Sequence, residues 1–211
     1  MKQILTYMLY TLLLSTPLLA QDTTNNWQQS LAAELKTLDN SASVSVWKQS
    51  ADKISGLANE HPKEWLLQYY AGWANTQASF KSDSPEALCD KAEAHVKKAL
   101  DMQPSHSETL TLMAYWMSAK INAQHSRGVT LGSQSKKYAE RAIEANPANP
   151  RAYLVKALVI YHTPAMFGGG KKKAKPVVEQ AAQKYASFKP KSQLDPDWGE
   201  NIYEELAKKY Q

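Results

Sequence analysis

The chain has 211 residues, a formal net charge of +5 and 43% hydrophobic residues, enough for one domain with a substantial apolar core. So small a net charge argues against a nucleic-acid partner, and one cysteine, Cys89, excludes an internal disulfide, so packing alone must hold the fold.

Residues 1–20 carry Lys2, an apolar run from Ile4 to Leu14, then Ser15, Thr16, Pro17 and the small Ala20. The run is too short and too broken for a membrane span, which needs about 20 apolar residues, and has the form of a secretory signal peptide. Export with cleavage after Ala20 is expected, to the periplasm or beyond, with no stable membrane insertion afterwards. Leu18 is large for the −3 position, so an uncleaved inner-membrane anchor is the alternative. No cysteine stands directly after the run, which argues against a lipoprotein. Residues 21–211 then form a single helical-repeat domain.

Trp27, Leu31, Leu35 and Leu38 mark a first amphipathic helix, broken at Asp39-Asn40-Ser41. Trp47, Ala51, Ile54 and Leu57 mark a second, which ends before Pro62 because proline disfavours helix in the residue preceding it. A third, from Lys63 to about Ser79, has Trp65, Tyr69, Gly72 and Trp73 on one side. After the loop Phe80–Pro85, the stretch Lys91–Pro104 puts Ala92, Val96 and Ala99 on one face. A helix over 105–123 follows, then the loop Gln124–Gly132 and a helix over 133–145 with Ser135, Ala139 and Ala142. The last pair is 149–161 and 171–188, joined by the loop His162–Gly170, with Pro176 tolerated near the helix start. Residues 191–211 place Trp198, Ile202, Tyr203 and Leu206 at helical spacing, as a cap over the end repeat. No stretch alternates with period two, so the expected class is all-α. The pairs cover 27–62, 63–104, 105–147 and 148–190, and the cap 191–211.

Pro147 follows Pro104 by 43 residues, and small residues recur at fixed places between such prolines. Gly72, Ala114 and Ala157 each stand ten residues after a repeat-ending proline; Ala92 and Ser135, then Ala99 and Ala142, take matching places in the second helices. In these positions the chain resembles tetratricopeptide repeats, in which small side chains at positions 8, 20 and 27 let paired helices cross closely. The resemblance covers about residues 43–188 and implies an α-solenoid of about four hairpins. It departs in period, 42 or 43 rather than 34, and in position 24, filled by Val96, Ala139 and Val178 where bulk is usual. The spare residues are expected in long loops between helices A and B, all on one edge. Thr163-Pro164-Ala165-Met166-Phe167-Gly168-Gly169-Gly170 is also similar to the T-P-x-x-F-G-G loop of exported helical-repeat proteins, among them the T component of TRAP-type solute transporters.

No nucleophile–base pair, metal motif or carboxylate dyad stands out, so neither catalysis nor a cofactor is expected. The glycine run before Lys171 lacks the preceding strand and the Gly-Lys-Ser/Thr of a phosphate loop. It reads either as a tight turn needing positive φ or as a partner-binding loop. Trp65, Tyr69 and Trp73 read as core, with Tyr70 stepping off their face as the aromatic free to touch a ligand. His95 reads as a solvent-facing residue, as do His61 and His106. Residues 109–191 hold 14 basic against 3 acidic groups, which fits an anionic partner, although lysines on exposed helix faces are often there for solvation alone.

The resulting expectation is a non-catalytic scaffold that holds a protein or peptide on its concave surface and on the A–B loop edge. The residues named for contact are Tyr70, His125, Arg127, His162, Met166, Phe167, Gly168, Gly169, Gly170 and Lys171. The alternative is a periplasmic solute-binding accessory of a transporter.

Overall fold

Prolines shortly after five helix ends and side-chain caps at two helix starts help to cut this chain into paired helices. The computed structural model describes residues 24–211 apart from 40 and 42, so the predicted signal segment 1–20 lies outside the described residues. The helices are α1 (Thr24–Asp39), α2 (Val44–Glu60), α3 (Trp65–Phe80), α4 (Glu86–Met102), α5 (Ser107–Ala123), α6 (Gly128–Ala145), α7 (Pro150–His162), α8 (Lys171–Ser187) and α9 (Glu200–Lys208). Among the described residues there is no strand, and no helix is long and apolar enough to cross a membrane. Asn149 shows the start device: its side-chain oxygen accepts from the Arg151 N–H at 3.0 Å, and Pro150 stands at the first helical position.

Four antiparallel hairpins, α1/α2, α3/α4, α5/α6 and α7/α8, stack into an α-solenoid. The small residues lie where the hairpins cross. Ala92, Ala99, Ala114, Ala139, Ala142 and Ala157 are fully buried. At Gly72 an added Cβ would come within 2.7 Å of the Val96 side chain and 3.2 Å of its backbone nitrogen. Positions 8 and 24 of that hairpin therefore touch, and valine suffices at 24 because glycine has drawn the helices together.

One connection differs in length from the expected loops. α4 starts at Glu86, directly after the expected loop, whereas α6 starts at Gly128, inside the predicted loop, after a 3-10 turn over His125–Arg127. There the spare residues lengthen helix B at its start. The loops over 81–85 and 163–170 keep about their expected length.

α3 and α5 are buried on nearly every side, from Leu67 to Ser79 and from Ser107 to Met117. A helix apolar all round has neighbours all round. The second cover comes from the C-terminal segment, which packs α9 against α8 and also runs back over the A helices. Trp198 stacks on Tyr115 of α5 at 5.1 Å and lies 6.1 Å from the Trp73 ring of α3. Its indole N–H donates to the Tyr69 hydroxyl at 2.7 Å, and the Tyr70 hydroxyl donates to the Leu194 carbonyl at 3.0 Å.

Beneath Trp198 lies a buried ion pair. Arg151 of α7 donates through Nε and Nη2 to the Glu108 carboxylate of α5 at 2.8–3.1 Å, and the Tyr69 hydroxyl donates to Glu108 Oε2 at 3.0 Å. One chain of polar contacts therefore links α3, α5, α7 and the cap. Arg151 also stacks over Phe188, 4.4 Å from the ring centre.

Candidate functional site

The C-terminal segment stops short of the first hairpin, and that gap is a groove. Two adjoining hollows of about 340 and 360 Å³ share Asp39, Trp73, Asp197 and Trp198. Each falls within the roughly 300–1,000 Å³ usual for small-ligand sites. α1 supplies one wall through Ala32, Ala33, Leu35 and Lys36; α3 supplies the floor through Tyr70 and Trp73; the segment Gln193–Ile202 supplies the other wall. Trp47 closes one end, packed edge-on to Trp73 at 5.4 Å, and its indole N–H donates to the Ser41 carbonyl at 2.9 Å. Among the described residues, no histidine, cysteine or methionine lines either hollow.

The groove's electrostatics are mixed. Lys36 and Lys81 stand on its lining, Lys81 with its ammonium 5.3 Å from the centre of the Trp47 ring. Asp39 and Asp197 face the same space; partial burial, then the Asp197 charge, raises the Asp39 carboxyl above its ordinary value. The Tyr70 hydroxyl is pushed well above its ordinary value, chiefly by burial, so it stays protonated and acts as a donor.

Tyr70 is thus a groove residue of a different kind from the one expected. It is 2% exposed and tied to Leu194, because the unforeseen return of the C-terminal segment covers the face onto which it steps. The other expected contact residues lie on the A–B edge. His125 is exposed, whereas Arg127 is bound to Glu86 through two nitrogens at 2.8 and 2.9 Å. Arg127 and then Lys120 hold the Glu86 carboxyl down at about 2. His162 is exposed and edge-on to Tyr161 at 5.0 Å.

Met166 and Phe167, 83% and 70% exposed, sit in a 3-10 turn. That turn is fastened from both sides: Gly168 N–H donates to Ala165 O at 3.0 Å and Gly170 N–H to Ile160 O at 2.8 Å. Gly168 and Gly170 take φ of +81° and +96°, the left-handed region that glycine adopts without penalty. Buried Gly169 has no room for a side chain, since a Cβ would meet the carbonyls of Thr163 and Ile160. Lys171 is held by the C-terminus: its carbonyl accepts from the Tyr210 hydroxyl at 2.9 Å and its ammonium lies 5.4 Å from that ring's centre.

One further expectation changes. His95 is half-buried, with Nδ1 2.8 Å from the Gln68 side-chain oxygen, because α3 runs alongside it. His106 is exposed, as expected, and also accepts from the Glu108 N–H at 3.3 Å as the cap of α5, with Trp65 packed on it at 4.9 Å.

Sequence reasoning missed the wall 193–202 and the partnership of Trp47 with Trp73. The available signal was the second run of aromatic and acidic residues at Asp195–Trp198, so far along the chain that only folding brings it to α3.

The fold and the groove define a helical binding scaffold of tetratricopeptide-like architecture. No family model and no curated protein matches the chain. Among solved structures, a thermophilic tetratricopeptide-repeat protein of Thermus thermophilus superposes with a TM-score of 0.58 at 16% identity, over 74% of this chain and 73% of that one, a likeness of fold alone. The HusA haemophore of Porphyromonas gingivalis superposes with a TM-score of 0.75 at 31% identity, over 85% of this chain and 90% of the haemophore. The chain belongs to the family of that haemophore.

Proposed function

We propose that this protein is an exported, non-catalytic carrier of a flat conjugated ligand of the haem type, held in the groove between α1, α3 and the segment 193–202. The observation that carries the reading is an aromatic-lined groove, with Tyr70, Trp73, Trp198 and Trp47 on its surface, in a chain of a haemophore's family. Large aromatic side chains offer flat apolar area and offset stacking. Lys36 and Lys81 are placed to meet ligand carboxylates. The site is small-molecule sized, which favours the small-ligand alternative over a protein or peptide held on the concave face.

The lining supports binding by stacking and apolar burial. Among the described residues the lining holds no histidine, cysteine or methionine to bond the iron, so the ring system supplies the affinity. Absorbance and tryptophan-quenching titrations test this. Haem and metal-free protoporphyrin are expected to bind with affinities within about tenfold of each other. Ala33→Trp, which adds bulk to the α1 wall at an exposed position, is expected to weaken both by about tenfold or more. Binding of haem but not of the metal-free ring, or no effect of Ala33→Trp, would remove the groove from the site.

A further inference from the structure

The large apolar side chains that the described residues leave exposed are Phe80, Val129, Met166 and Phe167. All four belong to one edge. Successive A helices run parallel and pack side by side, so the C-terminal ends of α3, α5 and α7 share a side of the solenoid. Phe80 ends α3, Val129 begins α6 just after the turn from α5, and Met166 and Phe167 occupy the turn after α7. The rest of the surface shows no comparable side chain among the described residues.

The most exposed of these turns is built to stay in place. Its hydrogen bonds to Ile160, Pro164 and Ala165, its two positive-φ glycines and the crowded Gly169 fix one conformation in which Met166 and Phe167 stand in water. A turn needing only to connect two helices has no use for fixed apolar tips.

Beside it stand Lys171, Lys172, Lys173 and Lys175, all exposed. Lys172, Lys173 and Lys175 make no ion pair among the described residues. They occupy the first turn or so of α8, which holds no acidic residue to offset them. The start of a helix carries partial positive charge and disfavours cations, so local stability is a poor reason for this run. Its charge complements an anionic surface.

We propose that this edge docks on an anionic phospholipid surface, with Val129, Met166 and Phe167 entering the interfacial layer and Lys172, Lys173 and Lys175 facing lipid phosphates. Apolar insertion and a basic patch are the two signals that together hold a protein on a bilayer. An acidic protein would satisfy the lysines too, but protein interfaces are depleted of lysine, particularly at their centres. None of these residues lines the groove.

Residues 21–211 contain every described element of the fold and serve as the test protein. Cosedimentation is measured with phosphatidylcholine vesicles, alone or with about 30 mol % phosphatidylglycerol, at about 0.05 M salt. Binding to the anionic vesicles only is expected, falling about fivefold or more in about 0.5 M NaCl as charges are screened. Met166→Ser with Phe167→Ser, and separately Lys172→Glu with Lys173→Glu, are each expected to lower it about tenfold or more. All four residues are exposed, so unchanged thermal melts and porphyrin titrations are expected in the variants. No binding to the anionic vesicles at low salt overturns the proposal and leaves the edge to a protein partner. Binding retained by the Met166→Ser, Phe167→Ser variant overturns it as well, because adsorption by charge alone needs no prongs.

Discussion

His95 shows how one side chain's role depends on a neighbour far along the chain. Burial first, and then the Lys98 charge, lower its imidazole below the ordinary 6.5, so the folded protein favours the neutral ring. The neutral ring donates through Nδ1–H to Gln68, whose amide N–H₂ donates on to the Ala58 carbonyl at 2.7 Å. A depressed pKa contributes stability that is whole above the unfolded value of 6.5 and is lost as pH falls through the lower folded value. The melting temperature is therefore expected to drop between about pH 7.5 and 5.5, and His95→Asn to reduce that drop. An equal drop in both proteins would deny His95 this part. The sequence shows a histidine one position before Val96 on an amphipathic helix and gives no sign of Gln68, 27 residues earlier. Gly72, by contrast, was readable, because a tetratricopeptide-like crossing needs a small residue there whatever its partner.

At the scale of elements, the Arg151–Glu108 pair joins α7 to α5, and through Tyr69 and Trp198 it reaches α3 and the cap. Arg151 is 2% exposed and Glu108 is 7% exposed. Truncating one member strands the other, a loss of roughly 3–5 kcal/mol for buried pairs. Glu108→Ala is expected to cost about that much in urea unfolding, and Glu108→Gln, which keeps an acceptor for Tyr69, to cost less. Similar losses in the two variants would mean that charge and not hydrogen bonding sets the cost. The helices themselves were legible element by element from their apolar spacing and their prolines. Starts were less so: α6 begins earlier than its apolar face does, because residues in a first turn need only helical backbone and can face water.

Across the whole molecule, the C-terminal segment changes a solenoid into a container. Stacked hairpins leave the A-helix face open along its length; Trp198 closes the middle, and the groove remains between the segment and the first hairpin. Asp39 and Asp197 put two acids into a site proposed to take an anionic porphyrin, and partial burial, then the repulsion between them, raises the Asp39 carboxyl. Asp39→Asn removes one of them from an exposed position and is expected to tighten protoporphyrin binding several-fold, up to about tenfold, as read by titration at neutral pH. Weaker binding in this variant would point to Asp39 as a ligand-holding acceptor.

The sequence by itself determined the architecture. Prolines at a fixed interval, small residues at the crossing positions and a 3.6-residue apolar period are local signals, each readable within a few turns of chain. Only the tertiary structure decided where a ligand fits. Trp47, Trp73 and Trp198 each look like ordinary core residues on their own helices or turns, and a groove exists only because 193–202 returns across α3 and stops before α1. The polar links that fix that return, Tyr70 to Leu194 and Trp198 to Tyr69, span 124 and 129 residues. Contacts so distant along the chain leave no periodic trace in the sequence, because they repeat nowhere within it.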